Sequence, residues 1–167
     1  MKKILLTLLA AFLLIGCSSS DATNTNVEPK LVVGKSLEAL TLNDQNEKAH
    51  TLAKDTKTVI FAFSKDGAHT CNDYFVTQTP NYLADNKTEF IADVSAAPSL
   101  IRSMFIMPGL KDFKHTVLVL DDKALAAPFR SGMDTEKIVV VNLDNGTITK
   151  ITTITSKDEL VKAVEAK

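Results

Sequence analysis

The amino-acid sequence predicts a mixed α/β domain with a central sheet and helices on both of its faces. Short β-prone runs alternate with helix-favouring segments, and the runs 58–63 (TVIFAF) and 116–120 (TVLVL) are the most apolar. A turn at Asp144-Asn145-Gly146 joins two strands into a hairpin, and a C-terminal helix follows it. This alternation favours a mixed sheet that is covered on both faces.

The strands are predicted where β-prone residues lie between turn residues. They are 31–33, 37–42, 58–63, 89–94, 116–120, 137–141 and 147–153. The segment 37–42 alternates between apolar and polar residues, as a strand with one buried face does, and a turn at 44–47 follows it. The run 58–63 is nearly continuous in apolar residues, so we expect it to be buried on both faces.

The helices are predicted from caps and from apolar residues on one face. They begin near Cys71 and near Thr79-Pro80, cover 100–107 and 123–129, and start again at Ser156. The loop 64–70 precedes the first of them. Thr79-Pro80 kinks that helix or begins a second one with Thr79 as its N-cap, and Pro108-Gly109 is expected to end the third. Ser156 and Glu159 have the spacing of a capping box.

The composition excludes several classes of protein. Lys plus Arg number 19 and Asp plus Glu number 20, so the net charge of −1 gives no reason to expect a nucleic-acid partner. The two cysteines, Cys17 and Cys71, are too few for a disulfide-rich miniprotein or a four-cysteine zinc site. The sequence contains no glycine-rich phosphate loop and no hydrolase or metalloprotease motif, and we predict no cofactor.

The N-terminus carries an export and anchoring signal. Two lysines precede an apolar run, 4–15, that is shorter than the roughly 20 residues a membrane-spanning helix needs. The run ends in LIGC at 14–17, which resembles the lipobox of bacterial lipoproteins. The resemblance implies cleavage before Cys17, diacylglycerol on its sulfur and a fatty acid such as palmitate on its amine. If the cell is Gram-negative, Ser18 at the next position favours the outer membrane, with the protein facing the periplasm. An ordinary signal peptide with a chance cysteine is the alternative.

The chain therefore divides into three predicted parts. Residues 1–16 form the lipoprotein signal peptide. Residues 17–30 comprise the acylated cysteine and a polar tether, which contains too few apolar residues to fold and reaches about 20 Å as a random coil. Residues 31–167 form the folded domain.

Three segments carry a resemblance to a known fold. They are VIFAFSKDGAHTC (59–71), TVLVLDDKALAAPF (116–129) and IVVVNLDNGTI (138–148). Their order resembles the thioredoxin-like fold, in the branch of peroxiredoxins and periplasmic thiol–disulfide proteins, over residues 31–167. The resemblance implies that 59–71 holds the strand and loop that carry the active site in such proteins.

The residues that perform the chemistry of this family are replaced. The Cys-x-x-Cys motif would fall on 68–71 (AHTC), so that Ala68 stands in place of the attacking cysteine and an intramolecular dithiol cycle is excluded. The peroxiredoxin motif would need Thr at Ala68 and Pro at Ser64. The cis-proline that faces the thiol would lie near Thr135-Glu136, where the chain has no proline. The C-terminal half resembles uncharacterised YtfJ-type proteins, which also lack the dithiol.

Cys71 admits a reactive and a structural interpretation. A thiol at a helix N-terminus has a lowered pKa, which favours the thiolate, and His69 and Lys65 add positive charge if they turn inward. Asp66 and Asp73 oppose ionisation, and cysteine is often buried and inert.

A copper site is a third interpretation, because sulfur and imidazole ligands suit Cu(I). Its candidate ligands are Cys71, His69, His115, Met104 and Met107. Met104 and Met107 are one helical turn apart beside apolar residues, which fits a packed helix face better, and we predict no metal site.

Two functions follow from these observations. The first is a lipid-anchored envelope protein without a dithiol, a binding or accessory module whose partner is an envelope protein or peptide. Its ligand would occupy a groove formed by His69, Thr70, Thr135 and Glu136. The second is an enzyme, a single-cysteine thiol peroxidase or oxidoreductase with Cys71 as nucleophile and an external thiol as resolver. Burial of Cys71 favours the first function, and exposure with a low pKa favours the second.

Overall fold

The computed structural model describes residues 27–166, so the predictions on the signal peptide and Cys17 lie outside the described residues. The strands in this range are β1 (Thr41–Asp44), β2 (Ala49–Thr51), β3 (Thr58–Ala62), β4 (Thr88–Asp93), β5 (Leu118–Leu120), β6 (Ile138–Asp144) and β7 (Thr147–Ile154). The α-helices are α1 (Lys65–Phe75), α2 (Tyr82–Asp85), α3 (Ser99–Ile101), α4 (Met107–Lys111), α5 (Lys123–Arg130) and α6 (Lys157–Glu165). A π-helical segment, Arg102–Ile106, joins α3 to α4 into one continuous helix, which we call the 99–111 helix.

The strands form one seven-stranded mixed sheet in the order β2-β1-β5-β4-β3-β6-β7. The neighbours β3 and β4, and β4 and β5, are parallel, and the other pairs are antiparallel. In the middle of β3, Phe61 pairs with Ile91 of β4 and Val139 of β6. The three parallel strands end at the same edge of the sheet, which we call the carboxyl edge. The predicted mixed sheet and its closing hairpin are confirmed.

Chain segments bury both faces of the sheet. On one face, Phe61 stacks on Phe129 of α5 with ring centroids 5.6 Å apart, and Leu31 of the N-terminal segment packs in the same core. On the other face, Phe75 of α1 lies edge-on to Phe90 of β4 at 5.4 Å, beside residues of α2 and α6. Helices on both faces are thus confirmed. The 99–111 helix packs on the same face as α1.

The predicted strand 31–33 is wrong, because these residues form a turn. The Lys35 amide donates to the Val32 carbonyl at 3.0 Å and closes a turn at Val33-Gly34, and residues 31–33 belong to none of the described strands. Gly34 follows with a φ of 91°, a conformation that side chains other than glycine rarely adopt. The next predicted strand also starts late, since β1 begins at Thr41.

The first helix begins six residues earlier than predicted, at Lys65 rather than near Cys71. Ser64 has extended backbone angles, and its side chain accepts a hydrogen bond from the Gly67 amide at 3.2 Å. This is the geometry of a serine N-cap, which satisfies one of the free amides of the first turn. The segment predicted as a loop is therefore the first turns of α1.

Of the two other predicted helix caps, one is wrong and one is confirmed. Asn81 precedes α2, so the prediction of Thr79 as its N-cap is wrong, and the Thr79 carbonyl instead accepts the Tyr82 amide in a turn at 3.0 Å. The capping box of α6 is confirmed, with Ser156 and Glu159 bonding each other's amides.

The 99–111 helix continues past Pro108, contrary to the prediction. Proline in an α-helix lacks an amide proton and clashes with the carbonyl four residues earlier, which here belongs to Met104. In the π-helical segment the Met107 amide donates to the Arg102 carbonyl, five residues earlier. This wider turn makes room for the proline ring at the start of α4.

The hairpin turn is confirmed at Asn145-Gly146, where φ is 48° and 76°. Two successive left-handed residues match the twist of the flanking strands, and Asn-Gly is the preferred pair for them.

Gly146→Ala is expected to destabilise the domain by about 2–3 kcal/mol, because it adds a steric contact to a strained backbone. A Cβ at this position would lie 2.9 Å from the Cβ of Glu38. Gly34→Ala is the control, since its φ is also positive but nothing lies within 4 Å. Its expected cost is about 1 kcal/mol. Urea unfolding of both variants measures the difference, and equal losses would show that the Glu38 contact imposes no constraint.

Candidate functional site

A cavity of about 470 Å³ lies at the carboxyl edge, between the N-terminal end of α1 and the 99–111 helix. We call it the carboxyl-edge cavity. Its walls are mostly apolar, formed by Phe63, Ser64, Lys65, Ala68, His69, Asn72, Ala92, Asp93, Val94, Ala96, Ala97, Ile106, Gly109, Leu110 and Phe113. Apolar walls with a few polar groups, in a volume of about 300–1,000 Å³, are typical of small-molecule sites.

One face of α1 lines the cavity, and another face packs in the core. Lys65, Ala68 and Asn72 line the cavity, since residues three and four apart share a helix face. Cys71 has no exposed surface and packs with Tyr74 in the core beneath the helix. Burial raises the pKa of the Cys71 thiol above its usual range. The structure therefore separates the thiol from the cavity.

A buried histidine lies behind the cavity wall. His115 Nε2 lies 2.9 Å from Asn72 Oδ1, and its carbonyl accepts a hydrogen bond from Gln45 Nε2 at 2.8 Å. The His115 ring stacks on Phe113 with centroids 5.1 Å apart. Burial lowers the pKa of His115 to about 4, so the ring is neutral near pH 7. Since Nε2 donates to the amide oxygen, Nδ1 is unprotonated, and it has no hydrogen-bond partner among residues 27–166.

An ion pair supports the wall of the cavity at the end of β4. Arg130 Nη1 lies 2.9 Å from Asp93 Oδ2, and the Asp93 side chain is fully buried. The other carboxylate oxygen of Asp93 accepts the Ser95 amide at 2.8 Å. The negative charge at this wall is thereby compensated by an arginine from the C-terminal end of α5.

The four predicted groove residues do not all reach the cavity. His69 lines it, whereas Thr70, Thr135 and Glu136 lie outside its walls. The Ser64 hydroxyl donates to the Glu136 carbonyl at 3.4 Å, which places the loop 133–136 beside the start of α1. Thr70 donates to the Asp66 carbonyl at 3.0 Å. The peptide bonds at 135 and 136 are trans, and neither residue has a positive φ.

The five candidate copper ligands differ in exposure. Cys71 and His115 are buried, while Met104 is 58% exposed. The expectation that Met104 packs inside a helix face is therefore wrong, although Met107 does pack against the core. In the part of the chain that the structure describes, no three His, Cys, Asp or Glu side chains form a group that could hold a metal ion.

Three residues that line the cavity were not predicted from the sequence, namely Asn72, Asp93 and Phe113. With the helix start at Ser64, the spacing from Ala68 to Asn72 would have placed Asn72 on the same face. The other two come from separate elements, and no local pattern indicates them. Among residues 27–166, no helix has the length and apolar character needed to cross a membrane.

The comparisons with known proteins identify the fold. No protein-family model matches the chain, and no curated protein does. Among solved structures, the chain is similar to the thioredoxin domain of a thiol-disulfide oxidoreductase from Bacteroides vulgatus, with a TM-score of 0.51, 18% identity, and coverage of 81% of this chain and 96% of that one. It is also similar to a candidate thiol:disulfide interchange protein DsbE from Chlorobium tepidum, with a TM-score of 0.52, 14% identity, and coverage of 81% and 97%. The thioredoxin-like fold predicted from the sequence is confirmed.

Proposed function

We propose that this thioredoxin-like domain is a lipid-anchored binding or accessory module of the bacterial cell envelope, which holds its ligand in the carboxyl-edge cavity. The observation that carries the proposal is the separation of the cavity from Cys71. The cavity wall near the start of α1 holds Ala68 where a dithiol protein would carry its attacking cysteine, and Cys71 is not part of this wall. A site built this way can bind a partner's apolar group, but it has no thiol to exchange.

The environment of Cys71 supports a structural role for this residue. The thiolate is the nucleophile in thiol chemistry, and it needs both access and a low pKa. Cys71 is fully buried, and burial raises its pKa. At neutral pH the thiol is then protonated and shielded from peroxides and disulfides.

The envelope location rests on the lipobox at 14–17 and on the predicted tether. The two similar structures include a thiol-disulfide oxidoreductase domain and a candidate DsbE. We propose that this chain keeps their fold in the envelope and uses it for binding, with an envelope protein or peptide as the partner.

Alkylation of Cys71 tests this function. In a chain of residues 18–167, where Cys71 is the only thiol, we expect iodoacetamide to react at least about 100-fold faster in urea than in buffer, because only unfolding exposes the thiolate. A His69→Cys and Cys71→Ala double variant is the control, since it places the single thiol at the exposed start of the same helix. Mass spectrometry measures both rates.

Rapid alkylation of native Cys71 would contradict the proposal. If its rate rose with a midpoint well below pH 8.5, the reference value for cysteine, and peroxide gave sulfenic acid, the domain would be a single-cysteine peroxidase or oxidoreductase.

A further inference from the structure

The outer side of the 99–111 helix carries four large apolar side chains in contact with solvent. Leu100, Ile101, Met104 and Phe105 are 64%, 44%, 58% and 65% exposed. They make up half of the large apolar side chains exposed among residues 27–166. Single exposed apolar residues are ordinary, but a cluster of this kind marks a surface that contacts another molecule or a membrane. We call these four residues the apolar ridge.

The inner side of the same helix is already occupied. Ile106, Met107 and Leu110 pack on the core that covers the sheet, and they hold the helix in place. Between 100 and 107, only Arg102 and Ser103 are polar. A helix with apolar residues on both sides makes few hydrogen bonds to water. The ridge is therefore suited to contact with an apolar surface outside the domain.

The N-terminal segment enters the domain near the carboxyl edge of the sheet. Ser131 Oγ donates to the Val27 carbonyl at 3.2 Å, and the adjacent Arg130 pairs with Asp93 in the wall of the carboxyl-edge cavity. That wall continues through Ala97 into the 99–111 helix. Residues 18–26 lie between this point and Cys17, and a chain of that length spans at most about 32 Å. A lipid on Cys17 would therefore keep the carboxyl edge within about 32 Å of the bilayer, which allows the ridge to reach it.

We propose that the apolar ridge docks on the lipid bilayer, with its four side chains inserted among the headgroups and the first acyl carbons. This proposal rests on the lipid anchor proposed above, because the anchor brings the ridge close to the bilayer. Anchoring makes docking an intramolecular event with a millimolar effective concentration, so that a ridge of four side chains is sufficient. Docking fixes the orientation of the domain, with the 99–111 helix between the cavity and the lipid.

Tryptophan fluorescence tests the docking, because the chain contains no tryptophan. Phe105→Trp places the only indole on the ridge. Val76→Trp is the matched control, since Val76 is 56% exposed and apolar but follows the far end of α1. Both full-length variants are made in a host that acylates lipoproteins and are reconstituted into phosphatidylethanolamine and phosphatidylglycerol vesicles with brominated acyl chains. We expect the bromines to quench the ridge tryptophan at least about twofold more than the control.

Two further measurements separate the docking from the anchor. Mass spectrometry of the purified chain reports acylation at Cys17 independently of any docking, and flotation reports association with the vesicles. In Cys17→Ser chains mixed with excess vesicles, the Phe105→Trp emission is expected to shift to the blue, and Leu100→Ser with Ile101→Ser is expected to abolish the shift. This result supports the docking even where mass spectrometry shows no acylation.

Equal quenching of the two tryptophans in a chain that floats would overturn the docking and leave the anchor standing. A blue shift that appears without vesicles and grows with protein concentration would also overturn it, because the ridge would then contact a second copy of the chain.

Discussion

Arg130→Met is expected to cost about 3 kcal/mol or more of folding stability, the largest effect of any single change considered. The substitution leaves the Asp93 carboxylate, whose side chain has no exposed surface, without its cation. The arginine side chain is 34% exposed, so the pair is only partly buried, but the charge that remains is the buried one. Removing one partner of a fully buried pair typically costs about 3–5 kcal/mol, and the lower end of this range is expected here. Urea unfolding monitored by circular dichroism measures the loss.

A double variant that also removes the charge of Asp93 tests this explanation. Asp93→Asn with Arg130→Met removes both charges, and this double variant is expected to regain at least about 1 kcal/mol over Arg130→Met alone. Lys137→Met is the matched control, because its pair with Asp134 has the same 2.9 Å separation but lies half-exposed. It is expected to cost less than about 0.5 kcal/mol. Similar losses for Arg130→Met and Lys137→Met would refute a special role for burial.

Acidification from pH 6.5 to pH 4 is expected to remove about 3 kcal/mol through His115 alone. Burial lowers the pKa of this histidine from 6.5 to about 4 in the folded domain. Between these values the unfolded chain binds a proton that the folded chain does not, so the free energy of unfolding falls as the pH falls. The contribution is complete above pH 6.5 and absent below pH 4. A gap of about 2.5 pKa units corresponds to roughly 3 kcal/mol.

Substitution of the histidine isolates this contribution from those of the carboxylates. His115→Gln keeps an amide donor for Asn72 and is expected to lose stability less steeply between pH 6.5 and pH 4. His69→Gln removes an exposed histidine on the same side of the sheet and is expected to follow the parent curve. If His115→Gln also followed the parent curve, protonation of His115 would not limit acid stability.

Features with local causes could be predicted from the sequence. The Asn145-Gly146 turn and the capping box of Ser156 each depend on residues within one turn of the chain, and the structure has both. The run 58–63 is apolar enough to specify a central strand without knowledge of its neighbours. These elements fix the order of strands and helices, and with it the thioredoxin-like fold.

The site was less predictable because its walls come from three separated segments. The start of α1 was misplaced since Ser64-Lys65-Asp66-Gly67 has the composition of a loop, although Ser64 also serves as an N-cap. Because of this error, Cys71 was predicted at the start of a helix, whereas it lies in the core. The contact between Asn72 and His115 joins residues 43 positions apart, and no spacing in the sequence indicates it.

The π-helical segment also determines which length changes the helix can accept. Deleting one residue between 102 and 106 would convert the wide turn into an α-helical one and keep the two flanking pieces in phase, whereas a deletion elsewhere in the helix rotates everything beyond it by about 100°. The α-helical turn would, however, bring the ring of Pro108 against a carbonyl of the preceding turn. A chain shortened there is consequently expected to lose about 3 kcal/mol of stability unless the proline is also replaced. The extra residue of the wide turn and the proline are therefore expected to be gained or lost together during evolution.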